Sequence, residues 1–398
     1  MILKIKNAFL LILLGLFSFL GWKTYLYFFD IKKPAVCISG IEDDNYYCDN
    51  LQSIIASNKT GNLSVWLDKK PIIRNFKIKN PKQEYPFAIP TRTLKNGKHT
   101  LKIEITDETY NKNKRTKNLD FYVDNTPLQA AFVKPETDFK VLQGRTLHIQ
   151  FQVNKKIKEA KVNALSNTYE CFPESHNSSI YETFIPVPCE EPQNEYLLAV
   201  EIKDYVGNCL NLENKFQVVT YPFKKQILKI KQEKIKKETE LGEDQKFLHD
   251  ALKEIVQKSP KEKLWRGQFC SPIDILQTTC DFGTVRITQQ KGKYIHKAVD
   301  IINSPKSVVW ASQGGIVRIK NRYEKSGNTV VVDHGWGIVT MYFHLEDFAN
   351  INIGDAIKKG NPVGTLGKTG YATGYHLHWE LRVNNIAVDP MQWVKANF

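Results

Sequence analysis

The chain has 398 residues, more than one ordinary domain, and this length suggests about two to four domains. A hydrophobic content of 42% and a charged content of 25% are typical of globular protein and exclude a disordered chain as the default interpretation. The formal net charge of +14 would suit an anionic partner, but the lysines are spread along the whole chain without a nucleic-acid-binding motif, so we favour solvated lysine faces and predict no nucleic-acid partner.

The N-terminal segment is apolar from Ala8 to Trp22 and is preceded by two lysines, a pattern typical of membrane targeting. A cleaved signal peptide is one interpretation, but no small-x-small cleavage site follows, and apolar residues resume after Lys23. If Lys23 extends its amine to the bilayer surface, residues 8–29 give 22 residues, or about 33 Å of helix, enough to cross a bilayer. We therefore predict that residues 1–29 are an uncleaved anchor in the cytoplasmic membrane, with the bulk of the chain on the periplasmic or cell-wall side.

All seven cysteines follow the apolar segment, as expected for a chain exported into an oxidising compartment. Their spacing predicts three disulfides, with Cys209 left over: Cys37 with Cys48, Cys171 with Cys189, and Cys270 with Cys280.

Residues 55–221 show the alternation of apolar and polar residues that is typical of β-strands, as in "TLHIQFQV" at residues 146–153. Six apolar or acidic positions between Leu101 and Phe121 match six positions between Leu198 and Val218 at a constant offset of 97 residues. This repeat predicts two β-sandwich modules, at 55–128 and 129–221, and leaves residues 30–54 unassigned. The sequences "IKDYVGN" and "YVDNTPL" resemble bacterial immunoglobulin-like modules, which implies that architecture only.

Residues 222–263 change in character and predict a helical linker of two helices separated near Gly242. The second helix carries an apolar stripe of Phe247, Leu248, Leu252, Ile255 and Val256. We favour a stripe docked on a neighbouring domain over one that lies on a membrane.

Residues 264–398 return to short strands separated by glycine turns, which predicts a compact antiparallel β domain. The overall prediction is therefore a mainly β protein. Five of the nine histidines lie in this domain: His296, His334, His344, His376 and His378.

Within this domain, His296 precedes Asp300 by four residues, and "HLH" places His376 and His378 two residues apart, where a strand would point both to one face. Two imidazoles and one carboxylate with an open fourth position describe a catalytic zinc site. His296, Asp300 and one histidine of the 376/378 pair would be the ligands, and the other histidine would move protons together with His344.

The order of these motifs resembles the lysostaphin-like (M23, LytM-type) zinc endopeptidases that cut peptidoglycan. The resemblance covers residues 264–398 and rests on "DFG" with Arg286, "HKAVDI", "GNTVVVDHGWGIVTMYFHL", "GDAIKKGNPVGTLGKTGYATGYHLHWEL" and "VDPMQW". Carried over residue by residue, it implies that His296, Asp300 and His378 bind Zn²⁺, and that His344 and His376 are the catalytic pair.

The chain departs from the family pattern at two points. Ala298 stands where the family usually has glycine, and the family's upstream tyrosine has no clear counterpart, since Gln290 occupies that neighbourhood and Tyr294 is only nearby. The remaining histidines are interpreted as structural: His99, His148, His176, His249 and His334.

Together with the predicted N-terminal anchor, the resemblance implies a membrane-anchored zinc endopeptidase that hydrolyses the peptide cross-links of bacterial peptidoglycan. The main alternative is a catalytically silent LytM-like module that binds and activates another cell-wall hydrolase. A third interpretation is a surface adhesin built on the β modules, with the peptidase as a minor feature.

Overall fold

The structure of the protein is a computed structural model, and it describes residues 2–135, 139–174, 179–227, 242–288 and 292–396. The fold is mainly β, as predicted. It divides into two compact units, one of Met1–Leu128 with Asp204–Asn208, and the other of Gln129–Lys203 with Cys209–Phe398.

The chain begins with helix α1 (Ile2–Phe29). Residues Ile12–Phe29 of this helix have a mean hydropathy of 1.4, are not buried, and are long and apolar enough to cross a membrane. A signal sequence has the same properties, so α1 is a candidate membrane anchor or signal.

The first unit contains eight strands and a short 3-10 helix at Thr91–Thr93. The strands are β1 (Val36–Ser39), β2 (Asn45–Tyr47), β3 (Leu51–Ser57), β4 (Gly61–Leu67), β5 (Lys70–Ile78), β6 (Glu84–Ile89), β7 (Gly97–Asp107) and β8 (Lys114–Val123). They form a three-stranded sheet in the order β1-β3-β6 and a five-stranded sheet in the order β2-β8-β7-β4-β5. The core includes the predicted alternating residues Leu101, Ile103 and Ile105, all fully buried. Residues 30–54, left unassigned from sequence, supply β1, β2 and the start of β3.

The second unit begins with nine strands. They are β9 (Ala130–Phe132), β10 (Lys140–Leu142), β11 (Thr146–Val153), β12 (Ile157–Ala164), β13 (Asn167–Glu170), β14 (Phe172–Pro173), β15 (Ile180–Pro186), β16 (Asn194–Asp204) and β17 (Cys209–Val219). One sheet is ordered β10-β17-β16-β12-β13 and the other β14-β15-β11-β9.

The sequence repeat corresponds to one hairpin that occurs twice. β7 and β16 each have 11 residues and end in an aspartate, Asp107 or Asp204, whose carboxylate is buried. Asp107 Oδ1 accepts a hydrogen bond from the backbone N–H of Asn113 (2.9 Å), and Asp204 Oδ1 accepts one from that of Asn208 (2.8 Å). In both copies the second hairpin strand pairs in parallel with a short edge strand, β2 or β10. The aspartate therefore closes the hairpin turn in each copy, although the two turns differ in length.

The linker is helical only in part. Lys225–Ile227, predicted as helix, is strand β18, which pairs in parallel with β20 (Val285–Thr288), because tertiary pairing outweighs local helix propensity here. The rest of the first predicted helix, residues 228–241, lies outside the described residues. Helix α2 (Gly242–Gln257) packs Leu248, Leu252, Ile255 and Val256 on the C-terminal sheet, which confirms the docked stripe. Phe247 is an exception, because it is 70% exposed.

The C-terminal domain holds eleven further strands and helix α3 (Pro390–Lys395). These strands are β19 (Gln277–Cys280), β21 (Gly292–Ile295), β22 (Val299–Ile302), β23 (Val308–Trp310), β24 (Gly315–Tyr323), β25 (Gly327–Asp333), β26 (Ile338–Leu345), β27 (Ala356–Ile357), β28 (Pro362–Thr365), β29 (Leu377–Val383) and β30 (Ile386–Val388). The main sheet is antiparallel in the order β19-β22-β29-β26-β25-β24-β27, with β30 also paired to β29. Smaller sheets have the orders β18-β20-β21 and β23-β28.

Strands β9–β17 pack directly on the C-terminal domain through an aromatic cluster. The ring of Phe184 lies 5.1 Å from that of Trp393 and 6.2 Å from those of Trp265 and Trp336, measured between centroids. The indole N–H of Trp393 donates to Thr146 Oγ1 (3.1 Å). Large buried aromatic groups with a satisfied polar edge indicate a stable contact.

The same contact contains a buried carboxylate, Glu182, whose side chain is 1% exposed and meets His148 at 2.7 Å and Lys263 at 2.8 Å. Burial alone would raise the pKa of Glu182, but these two partners prevail and hold its pKa below the ordinary value of 4.5. A carboxyl whose pKa is lowered by folding contributes stability above the unfolded pKa and loses it as pH falls through the folded pKa.

As the pH falls below about 4.5, we expect the native chain to lose more stability than Glu182→Gln. The difference in the loss of unfolding free energy should reach up to about 3 kcal/mol. Urea unfolding followed by tryptophan fluorescence at a series of pH values would measure the difference. Glu195→Gln, which alters an exposed ion pair with Lys215, is the matched control and should keep the native pH dependence. Equal acid sensitivity in Glu182→Gln and the native chain would show that the buried carboxylate contributes nothing.

Candidate metal centre

A row of polar side chains crosses three adjacent strands of the main sheet. Asp300 in β22 lies directly opposite His378 in β29 and, on its other side, opposite Cys280 in β19. Residues directly opposite in neighbouring strands share one face of the sheet. The carboxylate therefore lies between an imidazole and a thiol. His296 precedes β22 and completes the group through contacts with Asp300 and His378.

The donor atoms of three residues converge at this point. His296 Nε2 is 3.3 Å from His378 Nδ1 and 3.2 Å from Asp300 Oδ2, and His378 Nδ1 is 2.9 Å from Asp300 Oδ1. Donors about 2.0–2.1 Å from a tetrahedral zinc ion stand about 3.3–3.4 Å apart, close to these separations. The donor set of two nitrogens and one oxygen therefore fits a divalent metal ion such as Zn²⁺.

The electrostatics of the group agree with a site for a cation. Burial opposes ionisation of both His296 and Asp300, but their mutual contact prevails. It raises the pKa of His296 to about 9 and holds the pKa of Asp300 well below its usual range. A positive charge among these atoms, from a proton or a metal, is thus favoured.

His378 is oriented by two residues that the sequence analysis missed. Its Nε2 lies 3.1 Å from Glu380 Oε1, and Arg382 donates to Glu380 Oε2 from Nε (3.0 Å) and Nη2 (2.9 Å). Burial would raise the pKa of Glu380, but Arg382 and His378 lower it to about 2. The carboxylate therefore accepts the Nε2–H and leaves the Nδ1 lone pair free to bind a metal. Residues two apart in a strand point to the same face, so Glu380 and Arg382 lie on the same face of β29 as His378. This alternation could have identified both residues from the sequence.

His344 is aimed by a β-bulge at the end of β26. Phe343 and His344 together oppose the single residue Thr329 of β25, and His344 has a left-handed backbone with φ 61°. Its Nδ1 donates to the carbonyl of Thr369 (2.9 Å), which leaves Nε2 as the nitrogen with a lone pair. Burial and the neighbouring His378 and His376 lower the pKa of His344 to about 3, so the ring is neutral at pH 7.

His376 lies one residue before β29 and faces the same group. Its ring centroid is 4.8 Å from that of His344, and its Nε2 is 4.0 Å from Asp300 Oδ1. Its Nδ1 donates to the carbonyl of Gly374 (2.9 Å), so its Nε2 also carries a lone pair. A side chain at Gly367 would collide with the backbone of Glu346, so this glycine permits the close loop that brings His376 to His344. The structure thus brings together all five residues that the sequence singled out.

The other histidines have structural surroundings where they are described. His334 is fully buried, lies 2.7 Å from the carbonyl of Gly314 and 2.9 Å from Thr340 Oγ1, and burial lowers its pKa to about 4. His99 lies between Asp68 and the carbonyl of Lys95, and His249 is exposed on α2. His176 lies outside the described residues.

Ala298, the first departure from the family pattern, is fully buried beside β22. Gln290 lies outside the described residues, and Tyr294 pairs with Arg286 across β20 and β21.

The disulfides predicted from cysteine spacing are not formed in the described part of the chain. Cys37, Cys171, Cys189, Cys270 and Cys280 form no disulfide in the structure, so none of the three predicted pairs is present there. Spacing misled the prediction for the last pair because Cys270 and Cys280 face different surroundings. Cys270 Sγ lies against the carbonyls of Ala311 and Ser312 (3.7 and 3.4 Å), whereas Cys280 faces Asp300.

Comparison with known proteins gives matches over this domain. Residues 294–390 match the family described as Peptidase family M23. The peptidoglycan DD-endopeptidase ShyC of Vibrio cholerae is 32% identical over 121 residues, which are 30% of this chain and 28% of ShyC. The DD-carboxypeptidase/endopeptidase Mpg of Neisseria meningitidis is 34% identical over 97 residues, 24% of this chain and 22% of Mpg.

Among solved structures, the catalytic domain of lysostaphin from Staphylococcus simulans is 27% identical, with a TM-score of 0.27 over 30% of this chain and 92% of that domain. The chain spans only about a quarter of the length of the two curated relatives, 28% of ShyC and 22% of Mpg. The matches therefore concern the C-terminal domain, and residues 294–390 of this chain are a peptidase domain of family M23.

Proposed function

We propose that the chain is a zinc-dependent endopeptidase that hydrolyses peptide cross-links of bacterial peptidoglycan. The observation that carries the proposal is the convergence of His296 Nε2, Asp300 and His378 Nδ1 at 2.9–3.3 Å, with two further histidines beside them. The family match and the names of the relatives, which include peptidoglycan DD-endopeptidases, support the substrate class.

In this proposal His296, Asp300 and His378 hold the ion. A bound divalent ion supplies a Lewis acid that polarises an amide carbonyl and favours ionisation of water. His344 and His376 each present an Nε2 lone pair, because their Nδ1–H groups are donated to backbone carbonyls. One of these nitrogens takes a proton from the attacking water, and the resulting imidazolium returns it to the leaving amine.

We further propose that α1 anchors the chain in the cytoplasmic membrane, so that the peptidase domain acts on the extracytoplasmic side. An apolar helix long enough to span a bilayer and a substrate class found in the cell wall both support this location.

Digestion of purified peptidoglycan by the full chain in detergent tests the activity. We expect mass spectrometry of the muropeptides to show loss of cross-linked dimers and gain of monomers. A zinc chelator should abolish the change and added Zn²⁺ should restore it. The names of the relatives make a bond between D-amino acids the first cross-link to examine. Unchanged dimers with zinc-loaded protein would favour the alternative of a silent module that activates another hydrolase.

Glu380 provides a more specific test of the metal centre. Glu380→Gln weakens the acceptor that orients His378, and loss of a hydrogen bond that orients a metal ligand typically lowers metal affinity by about 10–100-fold. Competition with a coloured chelator would measure zinc affinity. Glu262→Gln, an exposed change in the segment just before this domain, is the matched control and should keep native affinity. Native affinity in Glu380→Gln would contradict the proposed orientation of His378.

A further inference from the structure

The turn between β7 and β8 joins the first unit to the end of α1. The backbone N–H of Tyr110 in this turn donates to the carbonyl of Tyr27 (2.9 Å), and the ring centroid of Tyr110 lies 5.4 Å from that of Phe28. Asn111 Nδ2 donates to the carbonyls of Phe28 (3.3 Å) and Asp30 (3.0 Å). The turn therefore caps the last turn of the helix, whose final carbonyls have no partner within the helix itself.

An ion cluster strengthens this junction. Lys59 Nζ lies 2.8 Å from Asp30 Oδ2 and 3.0 Å from Asp107 Oδ2. The side chains of Lys59, Asp30 and Asp107 are 17%, 19% and 1% exposed, so water reaches the cluster only in part. Asn113 Nδ2 also donates to the carbonyl of Asp30 (2.8 Å). These charge-assisted contacts fix the position of the turn relative to the end of the helix.

An anchor in α1 would place this turn at the surface of the bilayer. The apolar span ends at Phe29, so Tyr27 lies inside it by two residues, or about 3 Å along the helix axis. A turn that bonds to Tyr27 therefore reaches the boundary between hydrocarbon and headgroups. Tyr110 is 65% exposed, and tyrosine is enriched at this boundary because its ring is apolar and its hydroxyl is polar.

Charge is distributed unevenly between the two ends of the first unit. Gly61 lies opposite both Asp107 and Ile78, so the start of β4, the end of β5 and the β7–β8 turn share the end that adjoins α1. This end carries nine basic and five acidic side chains, in residues 30–36, 57–61, 76–84 and 104–115. The opposite end carries five basic and seven acidic side chains, in residues 39–51, 66–71, 89–101 and 119–124. The excess of positive charge thus lies beside the helix, where an anionic bilayer surface would attract it.

We propose that this end of the first unit binds the headgroups of anionic phospholipids in the bilayer that α1 spans. The inference rests on the proposed anchor and is independent of the peptidase activity. Tyr110 enters the boundary layer, and the exposed lysines Lys79, Lys82 and Lys112 pair with lipid phosphates. The first unit is then attached to the membrane by a charged surface as well as by a helix.

Acetylation of lysines in the full chain tests the proposal. The chain is placed in nanodiscs of phosphatidylcholine, alone or with phosphatidylglycerol, and mass spectrometry follows the acetylation rate of each lysine. We expect Lys79, Lys82 and Lys112 to react about 5-fold more slowly in the anionic discs, which corresponds to about 1 kcal/mol of attraction per lysine. High salt should remove most of this difference, because it screens the surface charge. Lys69 and Lys70, exposed at the opposite end, should react equally in both kinds of disc.

Charge-reversed variants separate binding from proximity alone. A chain with both Lys79→Glu and Lys112→Glu should lose the protection of Lys82 in anionic discs, because its end no longer binds the surface. A chain with both Lys69→Glu and Lys70→Glu is the matched control, since it carries the same change of charge at the opposite end. It should keep the native protection of Lys82.

The outcomes separate this inference from the proposed anchor. Equal rates for Lys79, Lys82 and Lys112 in the two kinds of disc would overturn the lipid-binding surface, and so would native protection of Lys82 in the chain with Lys79→Glu and Lys112→Glu. An alkaline wash of membranes that carry the native chain tests the anchor itself. Release of the chain by this wash would overturn both proposals, whereas retention together with equal acetylation rates would overturn the surface alone.

Discussion

Replacing Asp300 by asparagine is expected to remove both the metal and the activity. Asp300 lies between His296 and His378, and it is the only carboxylate of the proposed three ligands. The neutral amide cannot offset the charge of a divalent ion, and loss of the ion's transition-state stabilisation, worth several kcal/mol, corresponds to a fall in rate of at least about 10³-fold. Metal analysis of the purified chain and muropeptide release from peptidoglycan would measure the two effects.

Asp274→Asn is a matched control for this change, because Asp274 is exposed in the same domain. It should retain native metal content and rate. An Asp300→Asn chain that binds zinc as tightly as the native chain would refute the assignment of Asp300 as a ligand.

The second large effect is expected for substitution of His344, which should lower the reaction rate without changing metal binding. His344→Asn suits the left-handed backbone at φ 61°, since asparagine adopts this conformation more readily than most residues, but its amide cannot accept a proton. Loss of a general base typically costs about 10²–10⁴-fold in rate. We expect a decrease of that size in muropeptide release with unchanged zinc content, because His344 lies outside the proposed ligand set.

His249→Ala removes an exposed histidine of α2 and should have the native rate. Two results would contradict the proposed role of His344. One is a native rate in His344→Asn, and the other is loss of zinc from this variant in parallel with loss of activity.

The parts of the site that were predictable from sequence are those in which residue type and order carry the chemistry. His296 and Asp300 are four residues apart, and His376 and His378 are two apart, so local backbone geometry brings each pair to one place. Their convergence with His344 followed from the order of motifs. The bulge that turns His344 inward is a feature of register between strands, which a single sequence does not specify.

Pairing between strands also explains where the predictions from sequence were wrong. Short sequence spacing suggested a bond between Cys270 and Cys280, but strand pairing sets Cys280 opposite Asp300. Lys225–Ile227 lies in a segment with the composition of a helix, yet it forms a strand because it pairs with the edge of β20. In both cases a contact distant in sequence decided the local outcome. The repeated hairpin was predictable because Asp107 and Asp204 close their turns through neighbouring residues.

The aromatic contact between strands β9–β17 and the C-terminal domain has a consequence for how such proteins diversify. Phe184 is surrounded by three tryptophans from distant parts of the C-terminal domain, so each side supplies part of a shared interior. Recombination that exchanged one partner alone would leave indole rings facing water, a surface prone to self-association. These two segments are therefore expected to be inherited together, as a single evolutionary unit.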